Sequence, residues 1–341
     1  MENQKIKVAI LFGGKSAEHE VSLQSAKNIF DAIDKEKYEP VMVKIDKSGQ
    51  WFIEDDLIVF PPQGKGGIHN LSDSNKNLKV DIVFPILHGP FGEDGTVQGL
   101  LKLADVPFVG SSVLGSAVGM DKDLMKRLLR DSGIKIGKFI VLKELKDFQE
   151  VKNELGLPLF VKPANMGSSV GVSKVNNEDE YKEAVIKAFN FDTKVIIEEN
   201  IEGREIECSV LGNDNPIASI PGEVIPKHDF YSYDAKYIDE QGAILEIPAK
   251  ISDENIKKIQ GLAIKTFQVL SCEGLGRVDF FVKENNEIFV NEINTIPGFT
   301  KISMYPKMWE ASGIPYTELI DRLIQLAFER FKKEQELKTS Y

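Results

Sequence analysis

The sequence holds little that would tie it to the cell exterior, to a membrane or to nucleic acid. Two cysteines, Cys208 and Cys272, stand in 341 residues. They are too few and too far apart for a disulfide framework or a thiolate metal site, so a reducing compartment is the simple reading, with each side chain a small buried apolar group. No stretch approaches the roughly 20 apolar residues of a membrane-spanning helix. The opening Met-Glu-Asn-Gln-Lys runs straight into a strand-like segment without the apolar stretch and cleavage site of a secretory leader, which leads us to expect a cytoplasmic protein. Basic residues are in deficit: 42 Lys and Arg against 53 Asp and Glu leave a net charge of -11, which argues against general affinity for nucleic acid or an anionic membrane. An acidic chain still binds a nucleotide where lysines converge and a divalent cation screens the phosphates.

What is present is a chain with enough apolar residues, 42%, for two or three cores. Residues 5–12 form a β-rich apolar run ending at Gly13-Gly14, then Leu23, Ala26, Phe30 and Ile33 recur at helical spacing before a second strand at 41–45. This β-α-β opening predicts a parallel sheet. Residues 80–87 are continuously apolar, as in a strand covered on both faces, and end in His88-Gly-Pro-Phe-Gly-Glu-Asp-Gly95. Between them, residues 61–79 are rich in Pro, Gly, Asn and Ser and read as a surface insertion. A helix starts near Asp121, with Leu124/Leu128 and Met125/Leu129 spaced i,i+4, and stops at Gly133. Strands at 159–163, 172–175, 194–199 and 204–211 follow, with a helix at 178–189. Residues 227–242 form a long polar, aromatic loop of the kind that serves as a lid or binding segment. A helix at 252–270, a hairpin at 276–294 and an amphipathic helix at 317–331 close the chain.

The hairpin carries the sharpest chemical signal. If Asn285-Asn286 make a two-residue turn, Asp279 lies across from Glu292 and Arg277 across from Asn294, all on one face, with Phe281 and Val290 beside them. Val278, Phe280, Val282, Phe289 and Ile293 fall on the other. Carboxylates directly opposite one another destabilise a sheet unless something neutralises them. Arg277 would do so in part, and for one Asp/Glu pair alone that is the commoner case; Asn294, two residues after the glutamate, shifts the reading to a metal. Oxygen-only ligands favour Mg²⁺ or Mn²⁺ over zinc.

Lys162, between an apolar run and Pro163, precedes Asn165-Met-Gly-Ser-Ser-Val-Gly171, a loop whose backbone N–H groups could cover phosphates. Its glycine spacing fits neither a Walker A loop nor a dinucleotide fingerprint, and Gly13-Gly14 fails both tests too. Lys122, at a helix start, reads by itself as an exposed lysine, and Glu18, in the first turn of a helix, as a favourable dipole partner. A lone His88 is more often structural than catalytic.

Taken together, His-Gly-Pro-Phe-Gly-Glu-Asp-Gly, Val-Lys-Pro-Ala-Asn-Met-Gly-Ser-Ser-Val-Gly and Asn-Glu-Ile-Asn-Thr-Ile-Pro-Gly-Phe-Thr resemble, in order and over nearly the whole chain, the D-alanine–D-alanine ligases of the ATP-grasp superfamily. The resemblance implies an α/β chain: an N-terminal parallel-sheet α/β domain (1–121), then an ATP-grasp fold of two α+β subdomains (122–212 and 213–341). It implies that Lys122 and Lys162 hold ATP phosphates, that Glu198, Ile201 and Glu205 receive adenine and ribose, and that Phe230, Lys236 and Phe281 complete the ATP site. Glu18 matches the residue that pairs with the first D-alanine's ammonium, with His88 nearby. Lys236 would reach the transferred phosphate, while Tyr237 would hydrogen-bond to Ser168, itself linked to Glu18. Arg277, Gly298, Ser303 and Met304 match the groups around the oxyanion and the second substrate's carboxylate, and Asp279, Glu292 and Asn294 the ligands of two Mg²⁺ or Mn²⁺ ions.

The implied partners are D-alanine and ATP, with room for a monovalent cation and with no nucleic acid or membrane, in a homodimer that makes peptidoglycan precursor. D-alanyl-D-serine and D-alanyl-D-lactate synthesis are the near alternatives. Tyr237 favours the dipeptide, because lactate-using relatives lack this tyrosine. A non-catalytic nucleotide-binding regulator would not need the full metal, lysine and arginine set, and a dinucleotide oxidoreductase would need the fingerprint that is missing.

Overall fold

The computed structural model describes residues 5–62, 64–226 and 243–338. Phe230, Lys236 and Tyr237, the residues expected in the lid, lie outside them. The N-terminal sheet has strand order β6-β5-β4-β3-β2-β1-β7, where β1 is Ile6–Gly13, β2 Tyr38–Ile45, β3 Trp51–Ile53, β4 Asp56–Val59, β5 Gly67–Asn70, β6 Leu78–Lys79 and β7 Ile82–Ile86. β1 runs parallel to both β2 and β7, as the β-α-β pattern predicts, and the other strands pair antiparallel. Every residue of β7 is buried, as its continuous apolar sequence requires. Residues 61–79 are more than a surface insertion: β5 and β6 extend the sheet edge, and Ile68 (1% exposed) packs into the same core as Phe60 and Val80.

Strands β8 (Phe139–Leu142), β9 (Leu159–Pro163), β10 (Ser173–Val175) and β11 (Val195–Glu199) form a second, antiparallel sheet in the order β10-β9-β11-β8. The third sheet has the order β15-β14-β12-β16-β17, from β12 (Arg204–Gly212), β14 (Gly222–Pro226), β15 (Ala243–Glu246), β16 (Gly274–Val282) and β17 (Ile288–Asn294), with a short β13 (Ile217–Ala218) on β12. The helix Asp253–Val269 packs Ile259, Ala263 and Phe267 on one side of this sheet, leaving its other face to line a cleft. The closing helix Tyr316–Gln335 buries Leu319, Ile320, Leu323 and Ile324 in the same core as β1 and β7, tying the chain's two ends together. The expected fold class is what the chain adopts.

Between the sheets, the helix Lys122–Asp131 is capped by the Asp121 carboxylate, which accepts the Asp123 and Leu124 amides. Of its two predicted apolar pairs, Met125 and Leu129 are fully buried, whereas Leu124 and Leu128 are 46% and 40% exposed, so the inward stripe is narrower than the sequence suggests.

Candidate functional site

The predicted pairs form, by a different route. Lys283 and Glu287 close a three-residue loop, the Lys283 N–H donating to the Glu287 carbonyl (2.9 Å) and the Asn286 N–H to the Lys283 carbonyl (2.9 Å), with Asn286 left-handed at φ 64°. That loop sets Phe280 opposite Val290 and Phe281 opposite Phe289. A β-bulge then takes up Asn291, and beyond it Asp279 faces Glu292 and Arg277 faces Asn294. Two departures from the expected turn therefore cancel at the chemical end. At the other end they exchange two residues: Val290 goes to the core (1% exposed) and Phe289 joins Phe281 on the site face.

On that face Arg277 grips Asp279 with two bonds, Nε to Oδ1 and Nη2 to Oδ2, both 2.7 Å, a charge-assisted fork. Its Nε also lies 3.0 Å from Glu207 Oε2. Asn294 donates from Nδ2 to Asp279 Oδ2 at 3.0 Å, which leaves its amide oxygen as acceptor. Burial works against the Arg277 charge, but Asp279 and Glu207 outweigh it and hold the guanidinium far above its ordinary pKa. Glu207, absent from the sequence reading, lies on β12 directly opposite Asp279 of β16. Its period-2 spacing from Glu205 was the signal for it.

The facing wall supplies cations. Lys122 donates to the Met166 carbonyl (2.8 Å) and sits 3.5 Å from Glu292. Lys162, 12% exposed, reaches Glu198 Oε2 at 2.6 Å, while Lys126, 2% exposed, reaches Glu198 Oε1 at 3.1 Å. Burial lowers the Lys126 pKa against the pull of Glu198; Lys162, buried too, is raised because Glu198 and Glu292 prevail. Burial opposes the Glu198 charge, yet Lys126 and Lys162 lower its pKa. Lys126 escaped the sequence reading although it lies one helical turn beyond Lys122. These groups, with Ile201, Glu205, Phe281 and the loop residues Gly167, Ser168 and Ser169, line a cleft of about 420 Å³. Ser168 and Ser169 both adopt left-handed backbone, φ 50° and 59°, a costly conformation for non-glycine residues that is common at ligand-binding loops.

The third wall is N-terminal. Glu18, 8% exposed, precedes the helix His19–Ala32 without capping it. Its carboxylate lies so near Gly89 and Gly167 that a Cβ on either would stand 3.1 Å from Oε2, which joins the first domain to the phosphate-type loop. His88 Nδ1 meets the Ile296 carbonyl at 3.0 Å, and its buried Nε2 has no hydrogen-bond partner among the described residues. Burial lowers the His88 pKa, so the ring is neutral near pH 7. Gly298 approaches Ser303, with 2.9 Å between its would-be Cβ and the Ser303 Oγ. Ser303 Oγ bonds Thr300, and the Met304 side chain is buried with Val224 and Met308, leaving only its backbone for a ligand.

Glu93, a further residue the sequence reading did not single out, accepts the Gly89 and Ile296 amides at 2.8 and 3.0 Å. Burial, then the Glu18 charge, push its carboxyl from 4.5 up to about 8 against those donors. A raised carboxyl contributes stability that is complete below its unfolded pKa of 4.5 and is lost as pH climbs through about 8. Glu93→Gln is thus expected to flatten the decline of Tm across that interval. Parallel Tm–pH curves for the two proteins would contradict this.

A nucleotide-sized cleft between two antiparallel sheets, walled by lysines and an acidic hairpin and fronted by an α/β domain, is the layout of an ATP-grasp enzyme. Sequence profiles described as D-ala D-ala ligase N-terminus and D-ala D-ala ligase C-terminus match residues 7–111 and 128–325. The chain is 55% identical to the D-alanine–D-alanine ligase of Oceanobacillus iheyensis over 98% of its own length and 99% of that protein's. It is 52% identical to D-alanine–D-alanine ligase A of Escherichia coli K12, over 99% and 100%. The solved D-alanine–D-alanine ligase of Coxiella burnetii superposes with a TM-score of 0.89 at 40% identity, covering 98% of this chain and 97% of that one. VanG D-Ala:D-Ser ligase from Enterococcus faecalis gives 0.86 at 38%, covering 95% and 100%. The chain belongs to the D-alanine–D-alanine ligase family.

Proposed function

We propose that this protein joins two D-alanines into D-alanyl-D-alanine through a D-alanyl phosphate, converting ATP to ADP and phosphate and supplying peptidoglycan precursor. The observation that carries the proposal is the single face bearing Arg277, Asp279, Glu292 and Asn294 opposite Lys122 and Lys162. Relatives above 50% identity named for D-alanine favour it over the D-serine and D-lactate alternatives.

A carboxylate resists attack by an amine until one oxygen becomes a good leaving group, which phosphorylation provides. In the ion-paired set, Glu198, Glu207, Asp279 and Glu292 already balance Lys122, Lys126, Lys162 and Arg277. A triphosphate therefore brings charge that these residues alone do not offset. Among the described residues no three His, Cys, Asp or Glu side chains cluster as a cage; two carboxylates and the Asn294 carbonyl suit Mg²⁺ or Mn²⁺, which complete their shells with water and phosphate oxygens. Bound there, two such ions would screen the moving phosphoryl group.

Lys122 and Lys162 orient the phosphates, with Glu205 and Ile201 toward the sugar and base. Glu18 receives the first substrate's ammonium, and the neutral His88 offers Nε2 beside it. Arg277 and the Gly298 N–H face the oxyanion that develops as the second amine attacks, and the N-terminus of the helix Met304–Ala311, with Ser303, takes its carboxylate. We assign domains at 1–121, 122–212 and 213–341, in a cytoplasmic homodimer; β12 falls before the second boundary although it pairs with β14 and β16 in the third sheet. Among the described residues no helix is long and apolar enough to cross a membrane.

Residues 227–242 are assigned as the lid from their sequence. Water destroys an acyl phosphate, so closure over the site has a chemical purpose. Tyr237→Phe is expected to raise phosphate released per dipeptide formed, severalfold; an unaltered ratio would speak against a Tyr237–Ser168 link. The function itself is tested by incubating the purified protein with ATP, Mg²⁺ and a panel of D-amino and D-hydroxy acids. Dipeptide from D-alanine is the expected product, and phosphate-free mixtures throughout would point to a regulator.

A further inference from the structure

The bulge at Asn291 decides which residues face the cleft. Were the pairing of Phe280 with Val290 and Phe281 with Phe289 to continue without it, Asn291 would oppose Asp279, and Glu292 would turn to the apolar face alongside Val278. With the bulge, Glu292 and Asn294 both join Asp279. A bulged residue leaves the ladder, and the Asn291 carbonyl accepts from Lys126 Nζ at 3.3 Å. The same ammonium, 2% exposed, lies 3.1 Å from Glu198 Oε1. Glu198 in turn holds Lys162 at 2.6 Å through its other oxygen. One buried cation that no step above uses thus touches both the nucleotide wall and the turn that aims the metal-facing carboxylate.

We propose that Lys126 is a positioning residue that couples the two ends of the site: by holding the bulged Asn291 carbonyl and Glu198 at once, it makes divalent-cation binding and nucleotide binding support each other. This rests on the ATP and metal reading above. The bulge fixes Glu292, Lys126 fixes the bulge, and Glu198 fixes where Lys126 and Lys162 stand. Loss of the ammonium frees the Asn291 peptide to relax toward the unbulged register and unbalances the Glu198 pair, so each ligand meets a site the other no longer prepares.

The test reads binding without turnover: ADP affinity by calorimetry with and without Mn²⁺, and Mn²⁺ affinity by the paramagnetic resonance of the free ion, in wild type, Lys126→Met and Lys126→Arg. Groups that orient a metal's ligands typically contribute about 10–100-fold to its affinity, so Lys126→Met should weaken Mn²⁺ in the ADP complex by about tenfold or more. The factor by which Mn²⁺ tightens ADP should fall toward one. Lys126→Arg, which keeps a buried donor cation, should restore most of that factor. A folded Lys126→Met protein with both affinities and their coupling within twofold of wild type overturns the proposal, as does uniform weakening of both ligands with the coupling factor intact, the mark of a merely structural role. Should the methionine variant not fold, deletion of Asn291 replaces it: ADP binding must then become insensitive to Mn²⁺, and retained sensitivity overturns the proposal. If wild type binds neither ADP nor Mn²⁺, the nucleotide reading fails instead.

Discussion

Arg277→Ala is expected to lower kcat by roughly 10²–10³-fold, the usual effect of removing one oxyanion donor, while the Kd of ATP changes far less. The side chain is 19% exposed and gives two 2.7 Å bonds to Asp279 and a 3.0 Å contact to Glu207. Asp279 and Glu207 are cross-strand partners, so without the guanidinium two carboxylates confront each other in a partly dry site. Breaking such a pair typically costs about 3–5 kcal/mol, and a lowered Tm should accompany the slower turnover. Arg277→Lys keeps the charge but not the planar fork and should fall between. Steady-state rates with calorimetric ATP titration decide the matter: a variant that loses ATP affinity but keeps kcat would move Arg277 from the transition state to nucleotide binding.

The second large effect is expected from the paired acids. Glu292→Gln should reduce kcat/KM on the order of 10³-fold, since metal screening of a transferring phosphoryl group amounts to several kcal/mol and each 1.36 kcal/mol is about tenfold. The deficit should shrink as Mg²⁺ is raised, because the amide still offers an oxygen. Lys122, 3.5 Å from Glu292 and 11% exposed, also loses its counter-charge, so part of the effect should appear as an altered KM for ATP. A titration of rate against Mg²⁺ that superposes on wild type after scaling would show that Glu292 holds no metal.

The sequence was most informative where one period and one turn residue governed the outcome. Strand parity placed Asp279, Glu292, Arg277 and Asn294 together, and the tolerance of Asn286 for positive φ marked the turn. Loop length and the bulge at Asn291 were not legible, because neither leaves a pattern in the apolar residues; their cancellation kept the chemical pairs and swapped Phe289 with Val290. Lys126 and Glu93 were missed for a related reason. A lysine on a helix and a glutamate after a glycine read as solvated groups until tertiary packing buries them to 2% and 8% exposure beside Glu198 and Ile296. The edge strands at 67–79 were hidden by a turn-rich composition that suggests loop. The roles proposed for Glu18 and His88 rest on resemblance; what composition could not show is that both side chains are buried, Glu18 beside Gly89 and His88 against the Ile296 carbonyl.

The central claim is that the first D-alanine's carboxylate is phosphorylated before the second amine attacks. Incubation with ATP, Mg²⁺ and D-alanine labelled with oxygen-18 in its carboxylate tests this directly. The account predicts that one labelled oxygen per dipeptide appears in the released inorganic phosphate, with ADP as the only nucleotide product. Label in AMP, or phosphate free of label alongside dipeptide, would contradict it.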